Sequence, residues 1–226
     1  MSYNFSNDVY INRLCAWAPG VTDSAQWNEW SCGKRDISLT GKGPDLSFTE
    51  PMFRRRLSQI SKMTIQVAHD LLPFSDNAKI LFFSFRGELS RQFQVNKMLI
   101  EENSISPAAF SLSVFNAPAA LAAMALGLKG GYSAIYSGDN SFASGVAAAK
   151  AALLGSATEE IVFIYADEEA PQEYDCFFGH PPFAVSFGFL LSKNKGNNAV
   201  LSLPDENETP ISYLKNIISG GINVSP

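Results

Sequence analysis

The chain has 226 residues, 46% of them hydrophobic and 12% aromatic, which is enough for one or two ordinary cores and too apolar for a disordered chain. A net charge of −5 argues against a general nucleic-acid binder, which needs an excess of Lys and Arg, while leaving room for a local basic patch. Three cysteines, Cys15, Cys32 and Cys176, form neither a paired framework nor a C-x-x-C cluster, and they read as reduced, structurally buried thiols of a cytoplasmic protein.

"DVYINRLCAWAPG" reads as a strand closed by Pro19 and Gly20. A polar, turn-rich stretch with Trp27 and Trp30 follows, up to "TGKGPDLSFTEP". Pro51 then opens a helix expected to run to about Leu72. Its apolar residues Phe53, Leu57, Ile60, Met63, Val67 and Leu71 recur every three or four positions, with Arg54, Arg55, Arg56 and Lys62 partly off that stripe. "AKILFFSF" has the length and composition of a buried strand, and "RGELSRQFQVNKMLIEEN" is its crossover helix. Asn116, Pro118 and "KGG" supply a cap, a first-turn proline and a glycine stop for a second apolar helix. That stretch, residues 117–128, is too short to span a bilayer, and the N-terminus shows no secretory signal.

"YSAIYSGDNSFASGVAAAKAALL" supplies another strand, turn and helix, and "EEIVFIYADE" a further buried strand. This alternation predicts an α/β fold with a mixed, mainly parallel sheet and right-handed crossover helices. "PPFAVSFGFLLSK", the turn "NKGNN" and "AVLSLP" read as a C-terminal antiparallel hairpin, followed by a short helix, "PISYLKNIIS". Residues 1–226 are taken as a single domain.

The turn after the 132–136 strand offers Ser137, Gly138, Asp139 and Asn140. A helix N-terminus there would lower the pKa of a cysteine, but the turn has none. Asp139 is a poor acyl acceptor and a good helix cap, and Ser137 or Ser141 could react only with a base that the local sequence does not provide. The chain has two histidines. His69 reads as a C-terminal helix residue and His180 as a loop residue. Asp167, Glu168 and Glu169 fit either paired acid–base carboxylates or a solvated loop. No Walker motif, dinucleotide fingerprint or metal-ligand cluster appears, so no cofactor or metal is expected.

"SPAAFSLSVFNAPAALAAMALGLKGGYSAIYSGDNSFASG" is similar to the nucleophile region of β-ketoacyl synthases of the thiolase fold. Pro107 and Asn116 match its landmarks, and Asp139 falls where the catalytic cysteine would be. A closer resemblance is to the β-ketoacyl-synthase-like N-terminal domain proteins of bacterial aryl polyene-type clusters. It is carried by "CAWAPG", "PMFRRRLSQISKM", "FFSFRGELSRQ", "FSLSVFNAP", "SGDNSF" and "VFIYADEEAP" in order along the chain. Phe115 stands where that family more often has histidine.

The resemblance implies half of a thiolase-like fold, without the catalytic cysteine or the two histidines that the second half of a ketosynthase supplies. It implies a non-catalytic, chain-length-factor-like subunit in a heterodimer with an active ketosynthase, working on acyl chains borne by an acyl carrier protein reached mainly through the partner. The dimer seam would then comprise Tyr132, Ser133, Ala134, Ile135 and Tyr136, with Asn116 beside it. Phe93, Met98, Ala108, Ala109, Phe110 and Phe115 would border the partner's acyl tunnel; their ordinary alternative is core packing. An open half-fold would also leave a sheet edge and apolar surface for a partner to cover. Two other readings are a stand-alone acyl-thioester hydrolase or decarboxylase using Asp139 with Ser137 or His180, and a homodimeric acyl-binding module without chemistry.

Overall fold

The computed structural model describes residues 8–137, 141–174, 183–195 and 198–225. A six-stranded mixed sheet carries β1 (Tyr10–Trp17), β2 (Lys79–Phe83), β3 (Tyr132–Ile135), β4 (Glu160–Asp167), β5 (Val185–Ser192) and β6 (Ala199–Val200), in the order β3-β2-β4-β5-β1-β6. Among the named strands, β2 pairs in parallel with β3 and with β4. The other three pairings are antiparallel, so the α/β fold and mixed sheet agree with expectation while the parallel share is smaller than expected.

The expected C-terminal hairpin does not form. β1 lies between β5 and β6, and among the described residues β6 pairs only with β1, Tyr10 opposite Val200 and Ile11 opposite Ala199. The reason is length and burial. All eight residues of β5 are buried, so its backbone needs a full ladder on both sides. The two-residue β6 cannot provide one, whereas the eight-residue β1 pairs along it from Tyr10–Ser192 to Trp17–Ser186.

Helices cover both faces. α1 (Ser24–Ser31), α7 (Phe142–Leu154) and α8 (Pro210–Ser219) pack on the face carrying Phe83, Phe163, Tyr165, Phe187 and Phe189. α3 (Gln59–Asp70) and α6 (Ala117–Ala125) pack on the face carrying Ile80, Phe82, Val162, Ile164 and Leu190. Alternate residues of β2 and β4 thus belong to opposite cores, as the two-residue repeat of a strand requires. Gly188 allows α3 to lie close, because a Cβ there would stand 2.9 Å from Val67 Cγ1 and from the Phe163 carbonyl.

Two segments differ from the sequence expectation. The stretch around Trp27 and Trp30 is helical, capped by the Asp23 carboxylate accepting from Gln26 N–H at 2.8 Å, and both indoles are buried. The long helix expected from Pro51 is split into α2 (Pro51–Arg54) and α3. Ser58 adopts an extended backbone and its hydroxyl accepts from Ser61 N–H at 3.1 Å, so it begins a new helix instead of continuing the old one. α4 (Leu89–Glu102) and α5 (Pro107–Ser111) complete the fold between β2 and α6.

Candidate functional site

The C-terminal ends of β2, β3 and β4 lie side by side, because these three strands are parallel neighbours. Catalytic or binding loops of open α/β sheets gather at such an end. β3 leads into Ser137 at this end. Ser137 is buried and its hydroxyl accepts from Ser141 N–H at 3.1 Å, a turn-closing contact. Asp139, Gly138 and Asn140 lie outside the described residues, as do His180 and Cys176.

β3 is the edge strand, with a neighbour on one side only among the described residues. Tyr132 and Tyr136 are exposed, while Ser133, Ala134 and Ile135 are half-buried. Asn116 does not cap α6 with its side chain, contrary to expectation. Its Nδ2 donates to the Tyr132 hydroxyl at 3.4 Å, which ties it to the strand. Phe115 packs edge-on against Phe82 and Tyr136, each with ring centroids 6.1 Å apart. Its ring covers Gly87 (φ +55°), where a Cβ would come within 2.5 Å of Phe115 Cδ2. That close approach and the left-handed backbone both require glycine.

Of the other side chains expected near a tunnel, Phe93 is half-buried and meets the Tyr174 ring edge-on at 5.5 Å. Met98 and Ala109 are half-buried, and Ala108 and Phe110 are exposed. α4 and α5 are neighbours, joined to the segment after α5 by Gln92 Nε2 donating to the Ser113 carbonyl at 2.9 Å. α4 has a single fully buried residue, Val95. Around β3 and these helices large apolar groups face outward: Ile100 is 82% exposed, Met124 70%, Tyr136 59% and Phe110 56%.

A carboxylate cluster joins the ends of β2 and β4. Asp167, open at the sequence level to a solvated reading, is completely buried. It accepts from Ser84 Oγ (2.7 Å), Phe85 N–H (3.0 Å) and Arg86 N–H (3.0 Å). Burial raises its pKa, opposed by these hydrogen bonds. Glu88, also fully buried, accepts from Ser58 Oγ and Ser61 Oγ, both at 2.6 Å. Burial raises its pKa against those two bonds and the Arg91 charge. Glu168 is pushed up to about 7, first by burial and further by the charges of Glu88 and Asp167. Glu169 is exposed. Sequence reasoning left Arg86 and Glu88 out; their only signal was "FRGELS" directly after a strand, since burial of their charges is a tertiary property.

The remaining singled-out residues lie elsewhere. Cys15 is buried on β1 and burial pushes its thiol up to about 12, so it is an inert core thiol. Cys32 is exposed, which corrects the expectation of burial; it terminates α1 at the surface. His69 sits in the last turn of α3, stacked on Phe48 with centroids 3.7 Å apart. Lys42, Arg54, Arg55 and Lys62 line a cleft of about 480 Å³. Arg54 shapes it by donating to the Leu46 and Thr49 carbonyls at 2.8 and 2.6 Å. Among the described residues no group of three or more metal-ligating side chains occurs, and no helix is long and apolar enough to cross a membrane.

The fold has relatives among solved structures. A chain of "Ketosynthase (ApeO) in Complex with its Chain Length Factor (ApeC) from Xenorhabdus doucetiae" is similar with a TM-score of 0.71 and 25% identity, over 84% of this chain and 80% of that one. "The ishigamide ketosynthase/chain length factor" is similar in fold, with a TM-score of 0.64 and 14% identity over 85% and 63%. A ketosynthase from module 6 of the bacillaene synthase of Bacillus subtilis 168 gives 0.59 and 14%, and this chain spans 39% of its length. No curated protein matches the sequence. A family profile described as "Beta-ketoacyl synthase, N-terminal domain" matches residues 27–216, and the chain therefore belongs to the β-ketoacyl synthase N-terminal domain family.

Proposed function

We propose that the protein is a non-catalytic, chain-length-factor-like partner of an active β-ketoacyl synthase in polyene or fatty-acid-type chain elongation. The supporting observation is the β3 edge, open on one side among the described residues, with Tyr136, and Met124 of the neighbouring α6, exposed near it. An open edge beside apolar surface is a liability unless another chain covers it. In this reading Tyr132, Ser133, Ala134, Ile135 and Tyr136 form the dimer seam, with Asn116 hydrogen-bonded to Tyr132 beside it.

Fold similarity adds support: a chain from a ketosynthase–chain length factor complex is similar to this one with a TM-score of 0.71 and 25% identity. In this reading Phe93, Met98, Phe110 and Phe115 set the floor of the partner's acyl tunnel, while Ala108 and Ala109 leave room in it. The basic cleft of Lys42, Arg54, Arg55 and Lys62 offers an acidic acyl carrier protein a complementary surface.

The test is co-expression with candidate ketosynthases from the same organism. A stable heterodimer that elongates carrier-bound acyl chains is expected, with no turnover by the isolated chain. Failure to co-purify at low salt would sink the proposal. Hydrolysis or decarboxylation by the pure chain, lost in Asp139→Asn, would establish the stand-alone enzyme instead. A homodimer in native mass spectrometry that ignores the ketosynthase would point to an acyl-binding module.

A further inference from the structure

α4 has an unusual attachment. It is 14 residues long, yet only Val95 is fully buried, and Leu99 and Ile100 near its end are exposed. Apolar packing therefore holds it weakly. What holds it is polar and concentrated at its first turn. Glu88 occupies the N-cap position, but its side chain does not cap α4. One carboxylate oxygen accepts from both Ser58 and Ser61, at the start of α3. The other has Arg91 Nε 3.5 Å away, one turn into α4, and no hydrogen-bond partner among the described residues.

Further ties surround this one. Arg91 Nη2 donates to the Arg56 carbonyl at 2.9 Å, Ser90 Oγ to the Glu169 carbonyl at 3.5 Å, and the Arg86 guanidinium to the Glu168 carbonyl. Ser58 is itself engaged twice, capping α3 through Ser61 N–H while donating to Glu88. A buried carboxylate is costly unless it is paired, and this one is held by two serine hydroxyls on one oxygen and the Arg91 charge beside the other.

We propose that Glu88 is a positioning residue that fixes α4 on α3 through Ser58 and Ser61, and thereby sets where Phe93 and Met98 stand. The proposal rests on the reading of these side chains as tunnel-setting groups. It adds that the acyl length is controlled from a buried joint that touches neither the acyl chain nor the partner. Loosening the joint lets α4 shift while the sheet beneath it stays intact.

Amide hydrogen exchange of the isolated full-length chain tests the joint directly. Glu88→Ala is expected to speed exchange of residues 89–102 by at least about tenfold, leaving β2 and β4 protected as in the wild type. Ser61→Ala, which keeps the carboxylate and removes one donor, should give an intermediate acceleration. Glu88→Gln, which keeps an acceptor for both serines, should restore most of the protection. Uniform acceleration across α4, β2 and β4, or none in α4, overturns the joint.

The second arm uses the complex with the ketosynthase. Glu88→Ala should still co-purify but change the product length. A loosened α4 with unchanged products overturns the link to chain length and leaves the joint standing. Failure of the wild-type chain to co-purify instead removes the proposed function itself.

Discussion

The two sides of β2 are built from similar side chains used in opposite ways. Toward β4 and β5, aromatic rings close on one another: Phe163 stacks on Phe189 at 6.1 Å, and Phe142 meets Phe83, Tyr165, Phe187 and Tyr213 edge-on. Toward β3, α4 and α5, Phe110, Val114, Ile100 and Met124 are left outside. One side is a finished core. The other is apolar surface held in place by polar ties, among them Glu88 with Ser58 and Ser61. The difference teaches that hydrophobicity in this chain has two destinations, its own interior and the exposed surface around β3, α4 and α5.

Substitutions can break or sharpen that division. The largest effect is expected on the finished side: Phe142→Ala should cost about 4 kcal/mol of unfolding free energy, measured by urea denaturation, because it opens a cavity among five rings. A loss below about 1 kcal/mol would mean that this aromatic cluster is not the stabilising core. On the open side, Phe110→Asp with Tyr136→Asp should leave the isolated chain within about 0.5 kcal/mol of the wild type. The same pair should weaken ketosynthase binding by roughly 100-fold, about 2.7 kcal/mol. A stability loss without a binding loss would erase the distinction between the two sides.

Proton linkage probes the seam between them. The Glu168 carboxyl titrates near 7 in the folded chain, against an ordinary value of 4.5, because burial disfavours its charge. The native state therefore holds this proton more tightly than the unfolded state. The associated stability is fully present below pH 4.5 and is lost as pH rises to about 7. Glu168→Gln should remove roughly 1–2 kcal/mol of the stability difference between pH 5 and pH 8, as judged from urea midpoints of both proteins. Equal pH dependence in the two proteins would show that Glu168 is solvated. The smallest effect is electrostatic: Arg55→Ala with Lys62→Ala should weaken acyl carrier protein binding to the complex about tenfold at low salt, and less at high salt. A salt-independent loss would remove the basic cleft from carrier recognition.

Local features were legible in the residues. "KILFF" and "EIVFIYAD" form buried strands, "PISYLKNIIS" forms α8 to the residue, and the Phe53-to-Leu71 stripe faces the core. The split between α2 and α3 was harder to read, because the apolar repeat continues across it and only Ser58 marks the break. Trp27 and Trp30 were read as turn residues because their helix is short and polar. It is held by the Asp23 cap and by burial of the two indoles against each other, 5.4 Å apart. At the candidate site the segments were legible, including the edge strand 132–135 and the flanking phenylalanines. The burial of Asp167 and Glu88 was not.

By itself the sequence determined most of the helix and strand segments, α1 and the break between α2 and α3 excepted, and which family the chain resembles, since periodicity and motif order are properties of neighbouring residues. Tertiary structure alone decided that β1 enters between β5 and β6 and that Glu88 reaches back to Ser61. It also decided that Ile100 stays outside while Val95 goes in. These outcomes depend on which distant backbone can complete a ladder, and on which charges meet a partner as water leaves. Separations of 27 to about 180 residues put them beyond any local pattern.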